Sequence, residues 1–427
     1  SIILSHLLLT AYFPIFPMVY MILRGLMLFH CYHVCILIFV LEPKKMPENN
    51  NFKLKRPKCL DNSEIDNSFP FNHFIDLLDH FGVTRLANIT GYDYIDFPVW
   101  SAIRPESMIW QCSAGKGRSN YSAIISCGME TLETAYTELY LKSAIDIPIY
   151  SAYRTSYRRI DDRLVHLEST KLLGEAFQKN SSWKNHLIIG SELKSNQDIL
   201  LPLHWGYLSE YTANYGFVTN GLGGGCSHQS AQRQAIFELL ERHYLSLSFA
   251  NKKFKFDTVK SIDLNSLPDY LSRYVSDIRD KGLQLIILDF VSSRIPLSWV
   301  IIYDCHPITP NITINFGSKC ADSLVSAIEG ALLEAIQQRC SQIQGNREDV
   351  SPTPLSYSTQ RATFVFNQFS QIKKSKFESK SIKADDLSIL LVEIPGPVYE
   401  ISYNSKTSLL QFCKLIAPLC LFNQSLF

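Results

Sequence analysis

Acidic residues recur on three predicted helices of this chain, at spacings that suit metal binding. The first helix carries Glu130 and Glu133, the second Glu238 and Glu241, and the third Glu334, Gln337 and Arg339. Carboxylates three residues apart share one helical face, and their oxygens are ligands for hard cations such as Mg²⁺. These residues therefore predict a metal site assembled from segments that lie far apart in the sequence.

Two glycine-bearing segments precede the first two of these helices. One is Gly115-Lys116-Gly117, and the other runs from Asn220 and Gly221 to Gly225. Backbone amides exposed by a glycine loop before a helix N-terminus bind phosphate groups. We therefore predict loops here and interpret them, with the carboxylates, as a Mg–nucleotide site. The spacing is not that of a P-loop, so each segment alone is more simply a turn.

The arginines that follow the carboxylates allow two interpretations. Arg242 and Arg339 are either ion-pair partners of the neighbouring acids or bidentate contacts to phosphate. The sequence leaves both open. Cys226 is more simply a packed thiol than a nucleophile, because no cysteine–histidine–acid arrangement is evident in the sequence.

The elements that must position these residues predict an α+β fold of mixed β-sheets packed with long helices. Strand, glycine loop and helix recur three times, with small residues such as Ser126, Ala235 and Ala331 on the acidic helices. Apolar periodicity predicts helices near Phe74 and at 122–141, 167–178, 230–248, 267–281, 322–343 and 360–373. It predicts strands at 85–89, 97–103, 107–113, 145–150, 215–219, 283–289, 297–303, 311–317 and 388–394.

Composition excludes several classes of function. The 427 residues carry a net charge of +1 with no basic block, which argues against nucleic-acid binding. The 11 cysteines include no Cys-x-x-Cys pair, so we expect reduced thiols in a cytoplasmic protein and no zinc site.

The chain divides by composition into four segments. Residues 1–45 are apolar but interrupted by Arg24 and prolines, a poor match to a bilayer span of ~20 residues. Translation from an upstream start, a membrane anchor that associates the protein with a membrane, and a buried hairpin remain alternatives. We predict a polar linker at 46–72, a catalytic domain at 73–395 and a divergent tail at 396–427.

Several motifs, in order, resemble the YcaO-domain family. The opening signature matches Gly82–Ala87, Thr90–Asp93, Pro98 and Arg104-Pro105. The first acidic helix matches Ser126–Glu130 with Glu133, and the second matches Thr219–Leu222 leading to Glu238–Arg242. The third matches Glu334–Arg339 with Gly345–Asp349, which is most similar to the branch found beside TfuA proteins.

The resemblance implies an enzyme that uses ATP and Mg²⁺ to phosphorylate a backbone amide oxygen of a ribosomally made precursor peptide. The product is an azoline or, with an external sulfur donor, a thioamide. Glu130, Glu133, Glu238 and Glu241 would hold Mg²⁺; Lys116, Asn220, Gly221, Arg242, Gln337 and Arg339 would contact ATP. A TfuA-like or leader-binding partner is implied, and a homodimer remains open.

The chain also departs from the family pattern. Cys226 and Ser230 replace an asparagine and an acidic residue of the nucleotide–metal site, so one Mg²⁺ ligand could be missing. The chain ends Leu421–Phe427 without the Pro-rich tail of azoline-forming members. This ending argues against stand-alone azoline formation. Cys226 and Ser230 motivate the alternative function, a degenerate scaffold that binds peptide or a partner without ATP turnover.

Overall fold

The computed structural model describes residues 54, 57, 68–108, 110–138, 150–151, 186–202, 205–207, 219–249, 254–345, 359–383, 386–403 and 408–422. The apolar segment 1–45, most of the predicted linker, the predicted helix 167–178 and the predicted strand 215–219 lie outside these residues. None of the described helices is long and apolar enough to cross a bilayer.

The described chain alternates strands and helices as an α+β fold. The helices are α1 (Phe71–His80), α2 (Asn120–Ala135), α3 (His228–Ser248), α4 (Asp269–Asp280), α5 (Leu324–Gln344), α6 (Thr359–Ser370) and α7 (Leu387–Glu393). The strands are β1 (Arg85–Asn88), β2 (Val99–Ile103), β3 (Cys112–Lys116), β4 (Tyr150–Ser151), β5 (His186–Glu192), β6 (Gln197–Pro202), β7 (Leu222–Gly225), β8 (Val259–Ile262), β9 (Gln284–Phe290), β10 (Leu297–Tyr303), β11 (Ile314–Cys320), β12 (Lys374–Ser375), β13 (Tyr399–Ser402) and β14 (Gln411–Ile416).

The strands form three sheets. The first has the order β1-β2-β3 and is antiparallel. The second has the order β11-β10-β9-β8-β12, in which only the β12–β8 pair is parallel. The third has the order β4-β5-β13-β14-β7, with β6 paired to β5. The prediction of mixed sheets covered by long helices is therefore confirmed.

The second sheet is buried on both faces. All seven residues of β10 are buried, and successive side chains of a strand point to opposite faces. Trp299 and Ile301 pack in the core cluster that includes α3, whereas Val300 and Ile302 pack in the cluster that includes α5. This sheet thus fixes two of the three acidic helices on its opposite sides.

The glycine segments predicted as loops are largely strands, so the loop prediction was wrong. Gly115 lies in β3 and Gly223 lies in β7. A Cβ on Gly115 would lie 2.0 Å from the backbone nitrogen of Cys127 on α2, and one on Gly223 would lie 2.2 Å from the carbonyl oxygen of Ala231 on α3. The absence of a side chain at these glycines lets each strand contact its helix at backbone distance.

The C-terminal part of the described chain belongs to the third sheet, although the sequence assigned 396–427 to a divergent tail. Strand β14 pairs with both β13 and β7. The buried carboxylate of Glu400 on β13 contacts α3, where His228 Nε2 lies 2.9 Å from one oxygen and Gln232 Nε2 donates to the other at 2.9 Å. The predicted strand 388–394 was also wrong, because α7 covers these residues.

Candidate active site

Each acidic helix begins at a serine that caps it together with a second serine three residues later. Ser119, Ser227 and Ser323 accept hydrogen bonds from the backbone N–H groups of Ser122, Ser230 and Ser326, respectively. Such caps fix where a helix starts. The first carboxylate of the predicted pattern stands eleven residues after the cap in all three helices, from 119 to 130, from 227 to 238 and from 323 to 334.

The helices are interleaved with one another's strands. Helix α2 packs on β3 and also contacts β7, helix α3 packs on β7 and contacts β11, and helix α5 packs on β11 and contacts β3. Each helix thus packs against the strand that precedes it in the sequence and against the strand that precedes another of the three helices. This cyclic arrangement brings together the carboxylates that the sequence places far apart.

One strand joins the second and third acidic helices. The hydroxyl of Ser318 on β11 donates to Glu241 at 2.6 Å, and the N–H of Cys320 donates to the other oxygen of Glu241 at 3.1 Å. The N–H of Ser318 donates to Glu334 at 3.1 Å. Burial and the neighbouring charge of Glu334 raise the pKa of Glu241. These two carboxylates are therefore held side by side with a shared excess of negative charge.

The first and second acidic helices meet in the same way. Burial, followed by repulsion from Glu238 and Glu130, raises the pKa of Glu133 to about 8. Burial also raises the pKa of Glu238, although Arg242 opposes this through an ion pair of 2.9 Å. Negative charges on α2 and α3 thus raise the proton affinity of Glu133, which is the electrostatic condition that a divalent cation relieves.

The carboxylate oxygens suit a hard cation, but the side chains do not form a complete metal-binding site. Among the described residues, no three histidine, cysteine, aspartate or glutamate side chains are positioned to bind one ion together. Two buried oxygens of the predicted site have no hydrogen-bond partner within the described chain, namely Oε1 of Gln337 and Oδ1 of Asn220. Unpaired buried acceptors are costly, and a bound cation or nucleotide would satisfy them.

The predicted phosphate contacts are only partly brought together. Lys116 is the last residue of β3, and Gly221 precedes β7 with a φ of +83°. The buried Gln337 donates its Nε2 to the carbonyl of Ala114 on β3 at 2.9 Å, so it bridges the first and third units. Arg242 takes the ion-pair interpretation with Glu238 in this structure.

Arg339 lies in a buried network and its donors are occupied by protein atoms. Its guanidinium bonds to Asp93 at 2.8 Å, to Asp304 at 3.0 Å and to the carbonyl of Ile312 at 2.9 Å, and it faces the ring of Tyr94. Its side chain has 0% exposure. The ion-pair interpretation therefore describes Arg339 as the structure places it, and its assignment to phosphate stays a prediction.

The two departures from the family pattern lie at the start of α3. Cys226 is exposed in the short turn between β7 and α3, so the prediction of a packed thiol was wrong. The hydroxyl of Ser230 accepts from the N–H of Ser227 at 3.0 Å and donates to the carbonyl of Ser227 at 2.8 Å. Ser230 therefore has a capping role in this structure.

Sequence reasoning missed two lysines near the carboxylates. Lys414 on β14 is 5% exposed, and burial lowers its pKa to about 7 while the charge of Glu238 raises it. Lys319 lies on β11, and its charge lowers the pKa values of Glu133, Glu238 and Glu241. For Lys319, the signal available in the sequence was a lysine within the segment 314–320, which otherwise has the pattern of a largely buried strand.

Comparisons with known proteins agree with this arrangement. Residues 114–394 match the family model described as YcaO cyclodehydratase, ATP- and Mg²⁺-binding. A protein encoded in the tfuA 3′ region of Rhizobium leguminosarum bv. trifolii is 25% identical over 285 residues, which cover 64% of this chain and 66% of that relative. This chain therefore spans just under two thirds of the relative's length.

Two solved structures share the fold. YcaO from Methanopyrus kandleri bound with AMPPCP and Mg²⁺ is 16% identical, with a TM-score of 0.59 over 82% of this chain and 89% of that chain. A chain of the E. coli microcin synthetase McbBCD complex is also 16% identical, with a TM-score of 0.55 over 79% of this chain and 88% of that chain.

Proposed function

This chain belongs to the YcaO family, which binds ATP and Mg²⁺, and we propose that it activates backbone amides of a ribosomally made peptide by ATP-dependent phosphorylation. In this reaction a nucleophile adds to the amide carbonyl carbon, and the oxygen takes the γ-phosphoryl group of ATP and then leaves as phosphate. A cysteine, serine or threonine nucleophile gives an azoline, and an external sulfur donor gives a thioamide.

The observation that carries the proposal is the convergence of carboxylates from separate helices in a half-buried centre. The charge of Glu238 raises the proton affinity of Glu133, and the charge of Glu334 raises that of Glu241. Mg²⁺ would be held by Glu130, Glu133, Glu238 and Glu241, and it supplies neutralisation of the charge that develops on the phosphoryl group.

The neighbouring groups of the chain would orient the nucleotide. Lys116 at the end of β3 offers a compact ammonium, and the orphaned oxygens of Asn220 and Gln337 offer acceptors. The hydrogen bonds from β11 keep Glu241 and Glu334 in fixed orientations. Such preorganisation is the protein's contribution to electrostatic catalysis.

Substrate and partners follow from the family rather than from particular contacts. We propose that a precursor peptide is the substrate and that a TfuA-like or leader-binding protein delivers it. The gene context of the Rhizobium relative and the multi-protein composition of the microcin synthetase support a partner.

Calorimetric titration of Mg-ATP into the full chain tests the proposal. We expect saturable binding that the double variant Glu130→Gln/Glu241→Gln weakens at least tenfold, because two charges that face the cation are lost. Glutamine can preserve both bonds between residue 241 and β11, so the variant should stay folded. Glu378→Gln, an exposed site, is the matched control. Wild-type protein that is folded but does not bind Mg-ATP would refute the proposal.

A specific observation favours the second candidate, a scaffold that binds peptide or a partner without ATP turnover. The hydroxyl of Ser230 is committed to capping α3, in a position where the family pattern has an acidic residue. If this account is right, Cys226→Asn with Ser230→Glu should create Mg-ATP binding in a protein that lacks it. Unchanged absence of binding in the folded double variant would count against it.

A further inference from the structure

Strand β11 places one cation between the acidic helices. Residues alternate along this strand: Ser318 and Cys320 bond to Glu241, whereas Gly317 and Lys319 face α5. A Cβ at Gly317 would lie 2.9 Å from the Cβ of Glu334 on that helix. Lys319 therefore extends from the same strand segment that orients two of the site's carboxylates.

A glycine on α5 makes room for this side chain. A Cβ at Gly330 would lie 2.6 Å from Cγ and 3.1 Å from Cβ of Lys319. Glycine is unfavourable within a helix relative to alanine, and here its absent side chain gives the stem of Lys319 its path across the helix. The position of the ammonium group is thus set by packing at its base.

The ammonium group of Lys319 acts electrostatically on several carboxylates but forms no ion pair with any of them among the described residues. Its charge acts on Glu133, Glu238 and Glu241. Within the described chain, however, the side chain of Lys319 takes part in none of the ion pairs or hydrogen bonds. A half-buried cation that has not paired in an acidic centre is available for an anion brought by a ligand.

A second feature also points to a ligand at this place. Gln337 on α5 is 7% exposed, and its Oε1 has no hydrogen-bond partner in the described part of the protein. It stands fourteen residues after its cap, as Glu133 and Glu241 do in their helices. An amide oxygen open to a cation beside the carboxylates, and an ammonium donor open to an anion on Lys319, together fit a metal ion that carries a polyphosphate.

We propose that Lys319 is a fixed cation that contacts the triphosphate of ATP, held in place by the space over Gly330. This inference rests on the proposed function, because it assigns a further residue to the same site. A phosphate between Lys319 and a carboxylate-bound cation would separate the two positive charges and bond to both. Lys319 would then contribute a positive charge of the protein itself to the contact with the triphosphate.

The test compares ATP affinity at saturating Mg²⁺ for the wild type, Lys319→Met and Lys319→Arg. Methionine keeps the unbranched apolar stem and removes the charge, so we expect the Kd for ATP to rise about tenfold to a hundredfold, as for loss of one charged hydrogen bond. Arginine should stay within about threefold of wild type. Lys260→Met, on an exposed position of β8, is the control and should leave the affinity unchanged.

Gly330→Ala provides an independent variant that leaves the charge in the protein but obstructs its path. We expect it to weaken ATP binding in the wild-type background and to add little to Lys319→Met. Unchanged ATP affinity in folded Lys319→Met would overturn the inference while the proposed function stands. Tighter Mg²⁺ binding without ATP together with unchanged ATP affinity would also overturn it, since Lys319 would then be only a counter-ion. Absence of ATP binding by the wild type would overturn both proposals.

Discussion

Replacement of Glu133 by glutamine should increase the stability of the metal-free protein at alkaline pH. Burial and repulsion from Glu238 and Glu130 raise the pKa of Glu133 from 4.5 to about 8. The folded protein therefore binds the proton more tightly than the unfolded chain. The stabilising effect is complete below about pH 4.5 and is lost progressively as the pH rises through about 8.

The magnitude follows from the size of this shift. A difference of 3.5 units between 4.5 and about 8 corresponds to about 5 kcal/mol at roughly 1.36 kcal/mol per unit. Glu133 is partly exposed, so screening should reduce the effect to about 2–3 kcal/mol. Glutamine has no charge to desolvate, and Glu133→Gln should be more stable than wild type by that amount at pH 9 but not at pH 5.

Urea denaturation of metal-free protein at pH 5 and pH 9 measures this difference. Saturating Mg²⁺ should stabilise wild type at pH 9 by binding the ionised carboxylates, and Glu133→Gln should lose most of this gain. Glu378→Gln serves as the exposed control. Equal pH dependence of wild type and Glu133→Gln would refute the reasoning, because it would mean that the ionised carboxylate of Glu133 carries no burial or repulsion cost.

Two further predictions concern packing and the buried arginine. Gly223→Ala should prevent β7 from packing on α3, since the new Cβ would lie 2.2 Å from the carbonyl oxygen of Ala231. Soluble expression and circular dichroism should show loss of the fold. The control Gly91→Ala, with open space around the new Cβ, should fold normally. Arg339→Met should lower the free energy of unfolding by about 3–5 kcal/mol, because it leaves two buried carboxylates without their cation, and an unchanged urea midpoint would contradict a buried ion-pair role.

The long elements were predictable because their periodicity is strong. Predicted strand 297–303 coincides with β10, and predicted helix 322–343 differs from α5 by one or two residues at its ends. The error at 388–394 has a plain cause. A short apolar run satisfies both helical and strand patterns, and the buried residue of this run, Leu390, packs in the core cluster from a helix and not from a strand.

The glycine segments show a different limit of sequence reasoning. Glycine before a helix is compatible with a phosphate loop and with a strand that touches the helix backbone. Which of the two forms depends on contacts with the helices. A Cβ on Gly115 or Gly223 would clash with a backbone atom of Cys127 or Ala231, respectively. Nothing local in Gly115-Lys116-Gly117 distinguishes the two, so only the tertiary structure decides.

The carboxylates illustrate why composition of a site is easier to predict than its charge balance. Equal distances from serine caps place Glu133, Glu241 and Gln337 fourteen residues along their helices. The third position is neutral, and its amide bonds to the carbonyl of Ala114 on the first unit's strand. Lys319 on β11 adds a positive charge, and the absence of a side chain at Gly330 on α5 leaves room for the Lys319 side chain. Helix α5 and strand β11 thus contribute an amide acceptor and a cation, whereas α2 and α3 each carry a second acid at the corresponding position. The centre we propose is therefore asymmetric in charge, with the carboxylates that would hold a metal ion on α2 and α3, and the cation that would contact phosphate on β11, beside α5.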